Sequence, residues 1–486
     1  MPSSSAFMAS GVPGLDDILG GGLRRGHLYF VEGEAGCGKT TVGLQFALQG
    51  LRDGESALVV SMAESVAELE IIAESHGWDL GGLAIRDLGG AHAAHPTALF
   101  AFSEVELDDR VQAILAEMDT LKPQRLVLDT LAALRALNVQ TGQFRRHVEL
   151  FRSKAMTLGT TMLITDELTG AEDLHPRSLA WGVLRLEQQI GAYGPPRRRL
   201  WLPKLRGQAH HEGYHDLRIV RGGVRVFPRL ASSADAGSFE AGQIPSGIAQ
   251  LDALLGGGAA RGTSLGIIGP PGTGKSTLLC TFALAAAARG ERAALYLFDE
   301  SIETLKMRAK AQSMDLEPAL ASGLLLLRQV DPAERPHGEL ARELALDVSQ
   351  RDTRIVAIDS LNGYVRAMPD ERFTHLHIHA LLAWLAKRGV LTLITLAQPS
   401  PPTQPCGPAV DLSYIADAVI AQRYFEAYGK IRYAVSVLKK RYGNHERTIR
   451  EFSIGDTGII IGEPLAEFRG VLTGTPEYVG QEQPLL

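Results

Sequence analysis

Two short stretches of the chain combine glycines, a lysine and hydroxyl residues at a spacing suited to phosphate binding. They read GEAGCGKTT (33–41) and GPPGTGKST (269–277). The glycines let backbone N–H groups curl around an anion, the lysine reaches the β- and γ-phosphates, and the following hydroxyl binds Mg²⁺. The residues predicted to bind ATP are Gly33, Gly36, Gly38, Lys39, Thr40, Thr41, Gly269, Gly272, Thr273, Gly274, Lys275, Ser276 and Thr277.

Acidic residues complete these two predicted sites. Asp129 and Asp359 end the apolar runs RLVLD and RIVAID. With Thr40 and Ser276 they are the predicted Mg²⁺ ligands, because a strand-end aspartate orients the metal in P-loop enzymes. Further carboxylates follow a second apolar strand in VSMAES (60–65) and LFDES (297–301), namely Glu64, Asp299 and Glu300. There a carboxylate could take a proton from a nucleophile; the alternative is a solvated loop acid.

The elements that position these residues occur twice in the chain. GVPGLDDILGGGLRRG (11–26) returns as IPSGIAQLDALLGGGAARG (244–262), and Lys39 and Lys275 stand 236 positions apart. We therefore predict a tandem duplication, with domains at 1–230 and 244–472, a linker at 231–243 and a flexible tail at 473–486. In each copy apolar strands alternate with helical segments. This pattern predicts an α/β fold with a mostly parallel sheet and helices on both faces.

Composition narrows the class of protein. The 486 residues are 45% hydrophobic and 21% charged, with a net charge of −6. Such a balance is typical of a soluble globular protein and counts against nucleic acid and membranes as partners. The sequence has three widely spaced cysteines and neither a signal-peptide pattern nor a membrane-spanning one. We expect a cytoplasmic location.

A basic segment also occurs in both copies. KLRGQAH (204–210) contains Lys204, Arg206 and His210, and KKRYGNH (439–445) contains Lys439, Arg441 and His445 at a constant offset of 235. A cation supplied by a neighbouring subunit would stabilise charge on the γ-phosphate. The alternatives are a solvated basic hairpin or a nucleic-acid patch, and the duplication favours the nucleotide role.

These motifs together resemble the KaiC family of RecA-like ATPases, over about 1–470. The resemblance implies tandem RecA-like P-loop domains and a homo-hexameric double ring with ATP at subunit interfaces. It also implies slow ATP hydrolysis and autokinase activity in the second copy, with KaiB-like or other signalling proteins as partners. The two basic segments match the family's phosphate and base contacts across the subunit interface, with Arg441 among the catalytic residues.

The resemblance also gives a reason for the different carboxylates of the two copies. KaiC-like copies place two acids after the strand, and the first is the better candidate base. The second copy keeps both, whereas the first has Ala63 before Glu64. We therefore predict that the second copy retains the chemistry, with Asp299 as its base. The first is predicted to bind ATP chiefly to hold the ring together, with weak turnover supported by Glu64.

The phosphoacceptor suggested by the resemblance lies in DLSYIADAVI (411–420). Ser413 and Tyr414 occupy the two places at which the family carries adjacent hydroxyl residues. Tyr414 departs from the usual serine or threonine, and its longer ring would carry the hydroxyl too far unless the loop shifts. A buried strand start with Tyr414 packed inside is the alternative.

Two other functions remain open on the sequence. One is a DNA-dependent motor of the RecA/RadA type, which the acidic net charge and the absence of an added basic or zinc module disfavour. The other is a non-catalytic scaffold that changes partners on ATP binding. Stimulation of turnover by single-stranded DNA would favour the motor, and intact hexamers without measurable turnover would favour the scaffold.

Overall fold

The chain divides into two compact units, Met1–Arg229 and Leu230–Leu486, called here the first and the second unit. The computed structural model describes residues 6–89, 104–135, 141–167, 174–191, 194–230, 238–331, 333–366, 374–398, 415–456, 458–472 and 476–480. None of the helices in these ranges is long and apolar enough to cross a bilayer.

The first unit consists of a large sheet, a two-stranded sheet and seven helices in its described part. Its strands are β1 (Phe7–Met8), β2 (Leu23–Arg24), β3 (Leu28–Gly33), β4 (Ala57–Ser61), β5 (Ala84–Asp87), β6 (Arg125–Asp129), β7 (Thr161–Glu167), β8 (Gly182–Gln189), β9 (Arg197–Leu205), β10 (His215–Val220) and β11 (Gly223–Phe227). Its helices are α1 (Leu15–Leu19), α2 (Lys39–Arg52), α3 (Val66–His76), α4 (Glu104–Leu121), α5 (Leu131–Arg135), α6 (Thr141–Leu158) and α7 (Leu174–Leu179).

The second unit repeats this order. Its strands are β12 (Gln243–Ile244), β13 (Ala259–Ala260), β14 (Ser264–Gly269), β15 (Arg292–Leu297), β16 (Leu325–Gln329), β17 (Thr353–Asp359), β18 (Leu391–Ala397), β19 (Ala418–Ala427), β20 (Lys430–Lys440), β21 (Arg450–Gly455), β22 (Gly458–Pro464), β23 (Phe468–Arg469) and β24 (Glu477–Tyr478). Its helices are α8 (Ala249–Leu254), α9 (Lys275–Ala288), α10 (Ile302–Ala311), α11 (Glu317–Ala321), α12 (His337–Arg351), α13 (Leu361–Arg366) and α14 (Thr374–Ala386).

Both large sheets have nine strands and one topology. The orders are β11-β10-β9-β8-β3-β7-β6-β4-β5 and β22-β21-β20-β19-β14-β18-β17-β15-β16. The central strands β3 and β14 each pair in parallel with both neighbours. Strands β9–β11 and β20–β22 add an antiparallel extension. The predicted fold class, tandem RecA-like α/β domains, is confirmed.

In the central strands β3 and β14, polar and apolar residues do not alternate, and the structure shows why. Phe30 and Val31 are neighbours in β3, yet they belong to two different buried clusters, one on each face of the sheet. Ile267 and Ile268 in β14 are divided in the same way. Because both faces of the sheet are covered, apolar residues follow one another in these strands on both faces; buried Glu32 in β3 is an exception and pairs with Arg177 and Arg185. This burial holds the carboxyl ends of the parallel strands, and the loops that follow them, in fixed positions.

The described part of the predicted tail, residues 476–480, contains strand β24. This strand pairs with β23, and the Tyr478 ring packs against the rings of Tyr428 and Phe468.

Candidate functional site

The first phosphate-binding loop connects β3 to α2. Gly38 has a φ of 105°, and a Cβ atom there would lie 3.0 Å from Ile219 Cδ1. The backbone conformation therefore favours glycine, and a side chain at this position would also require Ile219 to shift. Lys39 Nζ donates to the carbonyl oxygens of Gly33 at 3.0 Å and Glu34 at 2.9 Å. The ammonium group thus lies against the loop, and the amino terminus of α2 supplies backbone N–H donors beside it.

The second loop, between β14 and α9, has the same construction. Gly274 has a φ of 87°, and a Cβ atom there would collide with a side chain of β21. Lys275 Nζ donates to the carbonyl oxygens of Gly269 at 2.9 Å and Pro270 at 2.7 Å. Burial lowers the pKa of Lys275 to about 8, with Asp359 acting in the opposite direction. This lysine has lost more of its hydration than an exposed one, so it gains more from a bound phosphate.

Side chains from strand β19 hold the second loop in place. The Thr273 hydroxyl lies 2.9 Å from the Pro270 carbonyl oxygen and 3.2 Å from Gln422 Oε1. The Tyr424 hydroxyl donates to the Pro271 carbonyl oxygen. Two side chains of strand β19 therefore help to fix the conformation of the loop.

The predicted metal ligands lie close together in the first unit. Asp129, at the end of β6, accepts hydrogen bonds from the hydroxyls of Thr165 and Thr40. Burial raises the pKa of Asp129. In the second unit, Asp359 accepts from Thr395 Oγ1 at 2.5 Å. A hydroxyl beside a carboxylate supplies the oxygen ligands that Mg²⁺ prefers.

These residues fit a Mg²⁺ ion that arrives with a nucleotide. In the described ranges, no three His, Cys, Asp or Glu side chains form a group able to hold a metal ion by themselves. Mg²⁺ usually takes one or two protein ligands and completes its octahedron with phosphate oxygens and water. Thr40 and Asp129, which share a hydrogen bond, match this requirement. Ser276 and Asp359 are their counterparts in the repeated sequence, and both sets of residues would orient the ion at the phosphates.

Glu64 follows β4 and has an unusual environment. Ser61 Oγ donates to the Glu64 carbonyl oxygen at 2.6 Å and accepts from its N–H at 3.2 Å, which fixes the backbone. Among the residues that the structure describes, buried Oε2 of Glu64 has no hydrogen-bond partner. Burial, reinforced by the charge of Asp129 and partly opposed by Lys39, raises the pKa of Glu64. This carboxylate is therefore a stronger base than an exposed one.

The two carboxylates of the second unit are both engaged. Asp299 Oδ2 accepts from Ser360 Oγ at 2.5 Å. Glu300 accepts from both terminal nitrogens of Arg308, at 2.7 and 2.8 Å, in a bidentate ion pair. The two units thus present carboxylates in different electrostatic settings.

The basic segment of the first unit folds onto the end of α7. Lys204 Nζ donates to the carbonyl oxygens of Arg177 at 2.8 Å and Ser178 at 2.9 Å, and Arg206 Nη2 donates to Ser178 at 3.1 Å. Burial, with a smaller effect of the Arg206 charge, lowers the pKa of Lys204 to about 8. His210 is half-buried beyond the end of β9.

The matching segment of the second unit contacts the chain just before β19. Lys439 Nζ donates to the Ala416 carbonyl oxygen at 2.9 Å. Arg441 Nη1 lies 3.4 Å from Asp417 Oδ1. His445 is half-buried. Within each unit, lysine and arginine lie together on one segment, as the repeated sequence predicts.

The predicted phosphoacceptors Ser413 and Tyr414 lie outside the described residues, between 398 and 415.

Several residues at these sites were not identified from the motifs, among them Arg308, Ser360 and Tyr424. Each lies outside the P-loop and strand-end patterns, so a motif search passes over it. Comparison of the two copies at their offset of 236 would have identified two of the three. It aligns Arg308 with Ile72 and Tyr424 with Gln188, and such differences in chemistry mark positions where the copies have diverged.

Comparison with known proteins gives matches along nearly the whole chain. A family model described as the KaiC ATPase matches twice, at residues 8–231 and 244–466. The circadian clock protein KaiC3 of Synechocystis sp. is 27% identical, over 98% of this chain and 95% of the relative. The circadian clock oscillator proteins KaiC of Acaryochloris marina and Synechococcus elongatus are each 26% identical, over 97% and 98% of this chain and 91% and 92% of the relatives.

Proposed function

This chain belongs to the KaiC family of ATPases, and from that premise we propose a Mg²⁺-dependent ring ATPase with unequal sites. Both units bind ATP and hydrolyse it slowly, and the second unit transfers phosphate to Ser413 of the protein itself. Six copies form a ring in the cytoplasm and signal through their conformation to protein partners. The domains are 1–230 and 244–472, joined by 231–243.

One observation carries this proposal: the P-loop hydroxyl and the strand-end carboxylate meet at the carboxyl edge of a parallel sheet. Thr40 donates a hydrogen bond to Asp129, and Lys39 starts the helix beside them. A lysine, a hydroxyl and an aspartate in this arrangement match the charge and the metal requirement of a Mg²⁺-bound triphosphate. The second unit repeats the lysine and the strand-end aspartate, and the Asp359 charge acts on Lys275, which supports nucleotide chemistry over a merely structural loop.

The chain's own residues would divide the work as follows. Lys39 and Lys275 bind the β- and γ-phosphates, and the loop N–H groups hold them in place. The bound metal ion neutralises phosphate charge. Glu64 in the first unit and Asp299 in the second accept the proton of the attacking water or, in the second unit, of the Ser413 hydroxyl.

We infer that the basic segments act between copies. In a head-to-tail ring, each surface of one copy meets a different surface of the next. Lys204, Arg206 and His210 of one copy would then contact the phosphates and base held by the neighbour's first unit. Lys439, Arg441 and His445 would do so in the second unit. A guanidinium supplied in this way stabilises charge that develops on the γ-phosphate.

A single experiment tests the proposal. The full-length protein is incubated with Mg²⁺ and ATP labelled at the γ-phosphate. Its phosphopeptides are then mapped, and the released phosphate is measured. The mass of the assembly is determined with and without nucleotide. We expect slow release, a label on Ser413 and an ATP-dependent hexamer. Stimulation by single-stranded DNA would favour a motor, whereas intact rings without turnover would favour a scaffold. A monomer at saturating ATP would overturn the ring.

The proposed regulatory role rests on the similarity of this chain to the relatives compared above. Those compared above are named as circadian clock proteins. At identities of 26–27%, timing is one of several uses to which a slow ring ATPase could be put. Signalling to KaiB-like or other partner proteins through the nucleotide state of the ring is the function we propose for this chain.

A further inference from the structure

An arginine on helix α10 holds one of the two carboxylates that follow β15. Arg308 Nη1 donates to Glu300 Oε2 at 2.8 Å, and Nη2 donates to Oε1 at 2.7 Å. The Glu300 side chain is only 17% exposed, and that of Arg308 is 36% exposed. Paired N–H···O bonds between a guanidinium and a carboxylate are stronger and geometrically stricter than single ion pairs. The pair therefore fixes the direction of the Glu300 carboxylate.

The first unit has no equivalent restraint in its described part. Ile72 stands at the position of Arg308 and packs against the buried cluster beside the sheet. Glu64, at the position of Glu300, has a buried oxygen without a partner among the described residues. The groups that act on the Glu64 charge are Asp129, Glu68 and Lys39, so the P-loop lysine and the strand-end aspartate both influence it.

This difference bears directly on proton transfer. A base must have an oxygen within hydrogen-bond reach of the proton that it accepts. Both oxygens of Glu300 already accept bonds from Arg308, so one of these charge-assisted bonds would have to break first. In the part of the chain that the structure describes, the hydrogen bond to Asp299 comes from the neutral hydroxyl of Ser360, which can rotate its proton away. In the second unit, Glu300 is thus held by a cation, whereas Asp299 remains able to accept a proton.

We propose that Arg308 is a positioning residue that withholds Glu300 from the nucleotide, so that Asp299 alone serves as the base in the second unit. The inference rests on the proposed ATPase function. In hydrolysis the water oxygen bonds to the γ-phosphorus, the bond from phosphorus to the ADP oxygen breaks, and the proton passes to the carboxylate. With Arg308 in place Glu300 does not take that proton, and hydrolysis in this unit stays slow.

The test uses the full chain in a background that silences hydrolysis in the first unit while keeping its phosphate loop, Glu64→Ala. In that background Arg308→Ile, which copies the first unit, should raise kcat for ATP hydrolysis about tenfold at an unchanged KM. Arg308→Lys, which keeps a cation, should stay close to the parent. Adding Glu300→Gln to Arg308→Ile should remove the gain. An unchanged kcat in Arg308→Ile, or a gain that survives Glu300→Gln, would overturn the proposal.

The reciprocal change provides an independent check that does not depend on how well Arg308→Ile folds. In an Asp299→Ala background, Ile72→Arg should pair with Glu64 and lower the remaining hydrolysis about tenfold. Ile72→Met is the control of similar size and should leave it unchanged. Equal rates for the arginine and methionine variants would count against the restraint. If the wild-type protein released no phosphate at all, both the ATPase proposal and this inference would fail. If the wild-type protein released phosphate and the Arg308 variants released it at the same rate, this inference alone would fail.

Discussion

The carboxylates beside the two P-loops differ more than the loops themselves. In the first unit Glu64 is half-buried, its pKa is raised, and its buried Oε2 atom has no partner in the described part of the chain. In the second unit Asp299 accepts from Ser360, and Glu300 is paired with Arg308. The two copies have therefore kept their glycine–lysine loops alike and differ in the surroundings of the carboxylates beside those loops. Such divergence is what a division into a holding site and a reacting site requires.

The loops also differ in how firmly they are fastened. Tyr424 and Gln422 bind the second loop through Pro271 and Thr273. In the first unit, Gln188 stands at the position of Tyr424 and instead accepts from Arg198 at 3.0 Å. A loop fixed before ATP arrives loses less conformational entropy on binding. We therefore expect the second unit to be the more preorganised of the two.

Removal of each P-loop lysine should produce the largest effect and separate the two sites. Lys39→Ala and Lys275→Ala should each reduce hydrolysis at their own site by on the order of 10²-fold, because a cation on the γ-phosphate is lost. Lys39→Ala should also weaken ATP-dependent assembly, and Lys275→Ala should abolish phosphate labelling of the chain. Sizing columns and labelled ATP measure both. Hexamers that form normally in Lys39→Ala would contradict the holding role of the first unit.

The next largest effect should distinguish the two acids of the second unit. Asp299→Ala should reduce labelling of the chain by about 10²-fold, since the base is removed. Glu300→Ala should retain most of the labelling, because Arg308 already occupies that carboxylate. Time courses with labelled ATP compare the two variants directly. The reverse order of activities would mean that Glu300 is the base.

The basic segments should give a smaller effect that depends on the ring. Arg441→Ala should lower turnover in the second unit by about tenfold, since the charge it supplies is only one of several near the γ-phosphate. Mixed rings of Arg441→Ala and Lys275→Ala chains should regain part of the activity, because each copy supplies what the other lacks. Rates that equal the average of the two separate variants would place the contact within one chain. Arg206→Ala mixed with Lys39→Ala is the matched pair for the first unit.

A still smaller effect should follow from loosening the loop of the second unit. Tyr424→Phe removes the hydrogen bond to Pro271 and should weaken ATP binding there by about 1 kcal/mol. Tyr442→Phe is the control, since that ring is 61% exposed. Calorimetric titration of ATP into each variant, in a Lys39→Ala background, gives the comparison. Equal affinities would show that the loop keeps its conformation without the tyrosine.

The smallest effect concerns protons taken up on binding. Burial lowers the pKa of Lys275 to about 8, so near that pH part of the population is neutral and binds phosphate weakly. Phosphate favours the charged form, and ATP binding at about pH 8 should take up a fraction of a proton that vanishes near pH 6.5. Affinity should fall as the pH rises through 8. Titration in two buffers of different ionisation enthalpy measures the uptake, and its persistence in Lys275→Ala would assign it elsewhere.

The sequence by itself determined the α/β fold, and it predicted where both phosphate sites lie. Glycine and lysine at fixed spacing after an apolar strand predict the conformation of a phosphate-binding loop. Gly38 and Gly274 adopt the positive φ angles that this loop requires. The continuous apolar strands predicted sheets covered on both faces. The loops depend on local backbone conformation and the sheets on the pattern of buried apolar residues, and both can be inferred from one sequence.

The state of each carboxylate was decided only by the tertiary structure. Asp299 and Glu300 are adjacent in sequence, yet one contacts Ser360 and the other Arg308, residues 61 and 8 positions away. Likewise, the motif around Glu64 gives no sign that its carboxylate is buried near Asp129. Basicity depends on which charges, hydroxyls and apolar atoms surround a group in space. Those neighbours come from other strands and helices, and only the packed fold shows which of them contact each carboxylate.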